Sequence, residues 1–113
     1  MPIPEFERAR VDAELRRFAN RVPERVRSQL WYEFTFRGNS VTLIECRPFF
    51  RDPTQTTKRP FARFDLDPER TEWSLMYADR NGHWHVYDRT PATRRFSDLV
   101  AEVERDPTQI FLG

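Results

Sequence analysis

Glycine is nearly missing from this chain, with three in 113 residues, at positions 38, 82 and 113. A phosphate-cradling loop needs several glycines in one short run, so nucleotide-binding loops of that kind are excluded. Cysteine is reduced to Cys46, which excludes an internal disulfide and suits a reducing cytoplasm. No apolar run approaches the ~18 residues needed to cross a bilayer, and no membrane attachment is expected. The opening Met1-Pro-Ile-Pro-Glu-Phe-Glu-Arg8 turns charged at once and has no apolar stretch of the signal-peptide kind. No G-x-S-x-G elbow occurs, and Cys46 lies mid-strand beside no base, so an activated nucleophile is not indicated. Lysine is confined to Lys58. The arginine bias runs through every segment, which points to overall composition rather than to selection of individual residues for bidentate contacts.

What the chain has is rings and charge. Ten Phe, three Tyr and three Trp stand in a sequence of which a third is charged. Disordered chains are poor in aromatics, so a folded unit with a ring-rich core is expected, one domain over residues 1–113. Net charge is +1, against a strongly basic nucleic-acid binder. The sign is uneven, however: residues 30–63 carry six cations and three acids, and residues 64–88 carry six acids and two Arg.

Val11, Leu15, Phe18 and Val22 recur at helical spacing, predicting a helix from Glu5 to Val22 that Pro23 stops, with a helical stub after it. Gly38-Asn39 between two ring- and β-branched-rich runs predicts a hairpin that pairs Phe36 with Val41, Phe34 with Leu43 and Tyr32 with Glu45. Residues 51–58, polar with Pro53 and several Thr, read as a surface loop. Phe61 to Leu66 reads as a third strand with Ala62, Phe64 and Leu66 inward. Asn81-Gly82 predicts a second hairpin with a type I′ turn, pairing Asp79 with Trp84, Tyr77 with Val86 and Leu75 with Asp88. Trp73, Leu75, Tyr77, Trp84 and Val86 then face the core, and Met76, Arg80, His83, His85 and Tyr87 the other side. A one-residue slip would exchange those faces. Ser97 is the expected cap of a last helix with Phe96, Leu99, Val100 and Val103 as its apolar stripe, ended by Pro107, with Ile110 and Phe111 docked. The expected fold is α+β: an N-terminal helix, a five-stranded antiparallel meander and a C-terminal helix packed on one sheet face.

Several stretches carry a resemblance. Val41-Thr-Leu-Ile-Glu-Cys-Arg-Pro48 with its E-x-R-P ending, Pro60-Phe-Ala-Arg-Phe64, Trp73-Ser-Leu-Met-Tyr77, Trp84-His-Val-Tyr87 and Asp106-Pro-Thr-Gln-Ile-Phe-Leu-Gly113 resemble a small bacterial domain-of-unknown-function family. The resemblance covers nearly the whole chain and implies a free-standing bacterial domain, with no agreed activity or cofactor.

Three functional readings follow from the residues. The leading one is a non-catalytic binding or adaptor module whose candidate residues are Glu45, Arg47, Arg63, Arg80, His85 and Tyr87. Glu45 and Arg47 point to the ring-bearing side, where charges survive by pairing, so a structural brace is favoured over a polar pocket under Tyr32. The second is a nucleic-acid-associated module using the Arg/Phe segment 47–63, in which cations alternate with rings. The third is a small hydrolase-like enzyme centred on Asp79, His85 and Tyr87. His83-Trp-His85 has a spacing that can hold a metal only with a third ligand, so neither metal nor cofactor is expected. The partner is a protein or a nucleic acid, and an open edge strand adds a homodimer to the expected assemblies.

Overall fold

A computed structural model describes residues 2–113. Helix α1 spans Glu5–Ala19 and a 3₁₀ turn covers Glu24–Val26. Strands β1 (Trp31–Arg37), β2 (Ser40–Phe49), β3 (Asp52–Asp67), β4 (Glu72–Ala78) and β5 (Trp84–Val86) follow, and helix α2 (Phe96–Arg105) comes last. The sheet is an antiparallel meander in the order β1-β2-β3-β4-β5. The expected α+β architecture stands.

Both helices supply one core with the inner sheet face. Val11, Leu15 and Phe18 from α1 and Phe96, Leu99, Val100 and Val103 from α2 join Val41, Leu43, Phe64, Leu66, Trp73 and Leu75. Each large side chain taken fully from water contributes about 1.5–3 kcal/mol, which is why this stripe sets the helix orientation. The first helix stops at Ala19, short of the expected Val22. Asn20 makes the last i→i−4 bond, to the Arg16 carbonyl; Arg21 and Val22 then turn to the Phe18 and Ala19 carbonyls three residues back, and Pro23 lies too close for another turn. The first hairpin has the expected register, Phe36↔Val41, Phe34↔Leu43 and Tyr32↔Glu45, with φ of +59° at Gly38.

Three expectations are corrected. Residues 52–58 are not a loop but the first part of β3, a strand of 16 residues. Their polarity reflects exposure on both faces; Thr is a good strand former, and Pro53 is tolerated where no neighbouring strand needs its missing N–H. A bulge where β2 passes from Leu43 to Ile44 lets Phe61 and Ala62 both turn inward, so the core-facing phase of β3 changes there. Ser97 does not cap α2: Arg95 holds the cap position, without a side-chain cap bond, and Ser97 lies in the first turn.

The third correction is the slip in the second hairpin. The observed pairs are Ala78↔Trp84, Tyr77↔His85 and Met76↔Val86. Asp79 is the cause. Its backbone N–H meets the His83 carbonyl at 2.8 Å, its carboxylate accepts from the N–H groups of Asn81 and His83, and Gly82 alone in the loop takes a positive φ, +81°. That is a three-residue loop closed by a left-handed glycine, not the two-residue turn with two positive φ values. Trp73, Leu75 and Tyr77 keep their inward faces. Trp84 and Val86, expected in the core, turn outward, and Val86 is 65% exposed. His85 and Tyr87, expected outside, turn to the helix side, where His85 stacks on Tyr77 at 5.3 Å and Tyr87 is buried against Phe111.

At the C-terminus, Asp106 takes a left-handed conformation (φ 45°) after the last turn of α2. Its carboxylate accepts from the N–H groups of Phe111, Leu112 and Gly113 at 2.7–3.1 Å, which folds the tail back and buries Phe111 as expected.

Candidate functional site

Beyond the body of the sheet, β2 and β3 continue alone. β1 accompanies β2 only as far as Cys46, and β4 accompanies β3 only from Ala62 onward. From Arg47 to Thr57 no third strand lies beside β2 and β3: Arg47 pairs with Thr57 and Pro48 with Thr56, and a register irregularity follows before Phe49 meets Asp52 at the tip. At ~3.3 Å per residue the three residues from Arg47 to Phe49 carry this ribbon roughly 10 Å past β1. The molecule measures 46 × 27 × 24 Å, and the 16-residue β3 runs along that length. Isolated two-stranded hairpins are marginal in water, so the ribbon leans on its base and its tip. At the tip the Phe49 and Phe50 rings meet edge-on at 5.3 Å, and the Arg51 guanidinium lies 5.4 Å from the Phe50 ring. Asp52 closes the turn with the Thr54 hydroxyl and N–H. Phe50 nevertheless stands 82% exposed.

Charges gather where the ribbon leaves the body. Glu45, only 9% exposed, accepts from Arg47 and Arg59 at 3.2 Å each, and Arg59 also donates to the Phe111 carbonyl. This is the brace expected for Glu45 and Arg47, with Arg59 as a second cation. Burial and the nearby Glu45 charge push the Tyr32 phenol above its ordinary range. On the opposite face Lys58 donates to Glu33 at 3.0 Å and Trp31 Nε1 donates to the other Glu33 oxygen; the Lys58 bond, then the Trp31 one, holds the Glu33 carboxyl below its ordinary value. Lys58, Arg59 and Arg80 border a notch of about 260 Å³ with Asp79. Among the described residues, Arg51 at the tip and Arg80 at the base have no carboxylate within ion-pair distance. The turn of Asp67, Glu69 and Glu72, with Arg70 among the acids, lies at the far end of β3 from the ribbon.

His85 Nε2 lies 2.8 Å from Asp79 Oδ2, and His83 Nδ1 lies 3.7 Å from the same oxygen. The His85 bond first, then the His83 and Asn81 backbone N–H groups, lower the Asp79 carboxyl to about 2. A depressed acid stabilises the fold above its ordinary value of 3.8, and that contribution disappears as pH falls through about 2. Following the Asp79 carboxyl carbon by NMR should give a midpoint near 2 that rises in His85→Ala. A midpoint at the ordinary value in the unsubstituted chain would show that the imidazole is not bonded. Among the described residues no group of three or more His, Cys, Asp or Glu side chains is placed to hold a metal ion.

The six candidate residues thus separate. Glu45 and Arg47 share the brace, Arg80 lines the notch beside Asp79, and His85 is bonded to Asp79. Arg63 lies on the sheet face that no helix covers, chelated by Asp65 at 3.0 and 3.1 Å and 5.2 Å from the Trp84 ring. Tyr87 leaves the set: its hydroxyl donates to Glu102 at 2.7 Å inside the protein, so it is not presented beside Asp79 and His85. Within the Arg/Phe segment, Phe61 is core and only residues 47–59 project. Two features escaped the sequence analysis. Glu102 is 5% exposed and bonded by Tyr87 and Arg105, although its place three residues after Leu99 put a carboxylate on the inner helical face. The bareness of the ribbon was hidden because strand lengths, not composition, create it.

Comparison with known proteins gives one match. A family model described as Domain of unknown function (DUF3024) matches residues 3–113, in accord with the resemblance drawn from the E-x-R-P and neighbouring motifs. No curated protein and no solved structure matches the chain.

Proposed function

We propose, from the premise that this chain belongs to the DUF3024 family of domains of unknown function, that it is a non-catalytic binding module gripping an anionic partner with its β2–β3 ribbon. The observation that carries the proposal is the ribbon itself. Eleven consecutive residues, 47 to 57, extend beyond the core while an exposed ring and an unpaired guanidinium sit at the tip. A segment that buries little costs conformational entropy, which contact with a partner would offset. Among the described residues, Arg51 at its tip and Arg80 at its base have no carboxylate partner, and Arg47 and Lys58, paired with Glu45 and Glu33, would exchange those carboxylates for anionic groups of the partner. One domain over residues 1–113, in a bacterial cytoplasm, belongs to the same proposal; its supports are the motif resemblance and the single cysteine.

Replacing residues 48–56 by Asn-Gly, which joins the paired Arg47 and Thr57 by a two-residue loop, tests it. The segment carries one cation and one acid, Arg51 and Asp52, so net charge is unchanged; retention on heparin, a generic polyanion, should weaken, with Arg47, Lys58 and Arg80 still present, while the melting temperature stays within a few degrees. Unchanged retention would remove the ribbon from the binding surface. A collapse of the melting temperature would make the ribbon part of the core fold.

A further inference from the structure

Resting on that proposed binding role, we infer that the partner is duplex nucleic acid: the ribbon lies in a groove of DNA and inserts Phe50 at a base step. Four observations converge. Two antiparallel strands with no third beside them, pairing Arg47 with Thr57 and Pro48 with Thr56 below an irregular tip, make a projection narrow enough for a duplex groove, whereas a single strand is held on a broad ring-bearing surface. The open sheet face is poorly suited to that second mode, because the Trp84 ring already lies against the Arg63 guanidinium, itself bound to Asp65. Phe50 lies in the turn at the ribbon tip, 82% exposed, and its edge contact with Phe49 holds the pair of rings together as a wedge. Apolar wedges at the tips of groove-binding elements unstack a base step and bend the duplex.

Charge and hydrogen bonding fit the same geometry. Arg51 beside the wedge and Arg80 at the ribbon's base have no carboxylate partner among the described residues and can meet phosphates, while Arg47 and Lys58 are held by Glu45 and Glu33. Thr54, Gln55, Thr56 and Thr57 are all exposed and offer neutral donors and acceptors without a charge that would repel the backbone. The turn of Asp67, Glu69 and Glu72, with Arg70 among them, lies at the other end of β3, away from the proposed contact. Only Arg47, Arg51 and Gln55 among the ribbon side chains can contact a base edge with two groups at once, so discrimination among sequences comes chiefly from how easily a step is kinked.

The experiment uses the full chain and a short mixed-sequence duplex carrying a dye at each end. Anisotropy should show binding whose logarithm falls against log salt with a slope of about −2, roughly −0.9 for each of the two phosphates neutralised by Arg51 and Arg80. Energy transfer between the dyes should rise as the ends draw together. Phe50→Ala should weaken duplex binding about tenfold, the loss of one stacked ring, and abolish the added energy transfer. Its retention on heparin should not change, since no charge is altered. Equal duplex binding by Phe50→Ala, a complex that leaves the duplex straight, or tighter binding of the corresponding single strand would each overturn the inference. So would a self-associated protein that shields Phe50 and ignores the duplex. In all four cases ribbon-dependent heparin retention would survive, whereas loss of that dependence would instead overturn the polyanion-binding role beneath it.

Discussion

Trp73→Ala should lower the free energy of unfolding by about 3–5 kcal/mol, a large share of the roughly 5–15 kcal/mol that holds a domain together. Trp73 is fully buried in the core. Its ring meets Phe96 at 4.9 Å, and its Nε1 donates to Glu7, so one side chain joins β4 to both helices. Alanine would leave a cavity between elements that are held apart by other contacts and cannot close upon it. Its backbone bridge to Thr93, 2.7 and 2.9 Å in the two directions, would survive and prevent simple collapse of the connecting loop onto the gap. Trp84→Ala is the control. That indole faces outward and is half-buried under Arg63, so its loss should cost about 1 kcal/mol or less. Urea unfolding of the two variants measures the difference. Equal losses would mean that the hairpin register is the one expected from Asn81-Gly82 rather than the slipped one.

Glu102→Ala should cost about 2–3 kcal/mol, and most of that cost should vanish when Tyr87 is already Phe. Glu102 accepts from the buried Tyr87 hydroxyl and from Arg105, which reaches in from solvent. Without the carboxylate the phenol is left inside with a donor and no acceptor, the expensive half of a broken hydrogen bond. Arg105, mostly exposed, finds water instead and adds little. The linkage is two-sided. The bond from Tyr87, then the one from Arg105, holds the Glu102 carboxyl below its ordinary value of 4.5; its stabilisation is present above 4.5 and lost as pH falls through the lowered value. Burial first, then Glu102, raises the Tyr87 phenol above 10; its stabilisation is present below 10 and lost as pH rises through the raised value. A double-mutant cycle by urea unfolding at neutral pH reads the coupling. Full additivity would show that the two side chains act independently.

Local chemistry made the first hairpin readable: a glycine at the first loop position and facing rings left one register, and the pairs are those expected. The second hairpin was misread for an equally local reason. Asn-Gly favours a two-residue turn, but Asp79 just before it binds two loop N–H groups and adds one loop residue. Side-chain alternation could not arbitrate, because Trp84, His85, Val86 and Tyr87 offer an apolar group at every position. The apolar stripes of both helices were legible from their 3.6-residue spacing. The ribbon was not, since a polar two-sided strand and a polar loop share one composition and differ only in whether a partner strand continues beside them. Of the candidate residues, Glu45 and Arg47 came out of alternation correctly, while Tyr87 moved indoors with the slip.

Arg59 grips Glu45 on the ribbon's own base and, with the same nitrogen, the carbonyl of Phe111. Phe111 in turn is reeled in by Asp106 at the end of α2. The ribbon and the last helix are therefore geared together through one guanidinium. A torque on the ribbon tip passes through that coupling to the tail and on to α2, so the projecting arm is steered by the body behind it rather than hinged loosely upon it.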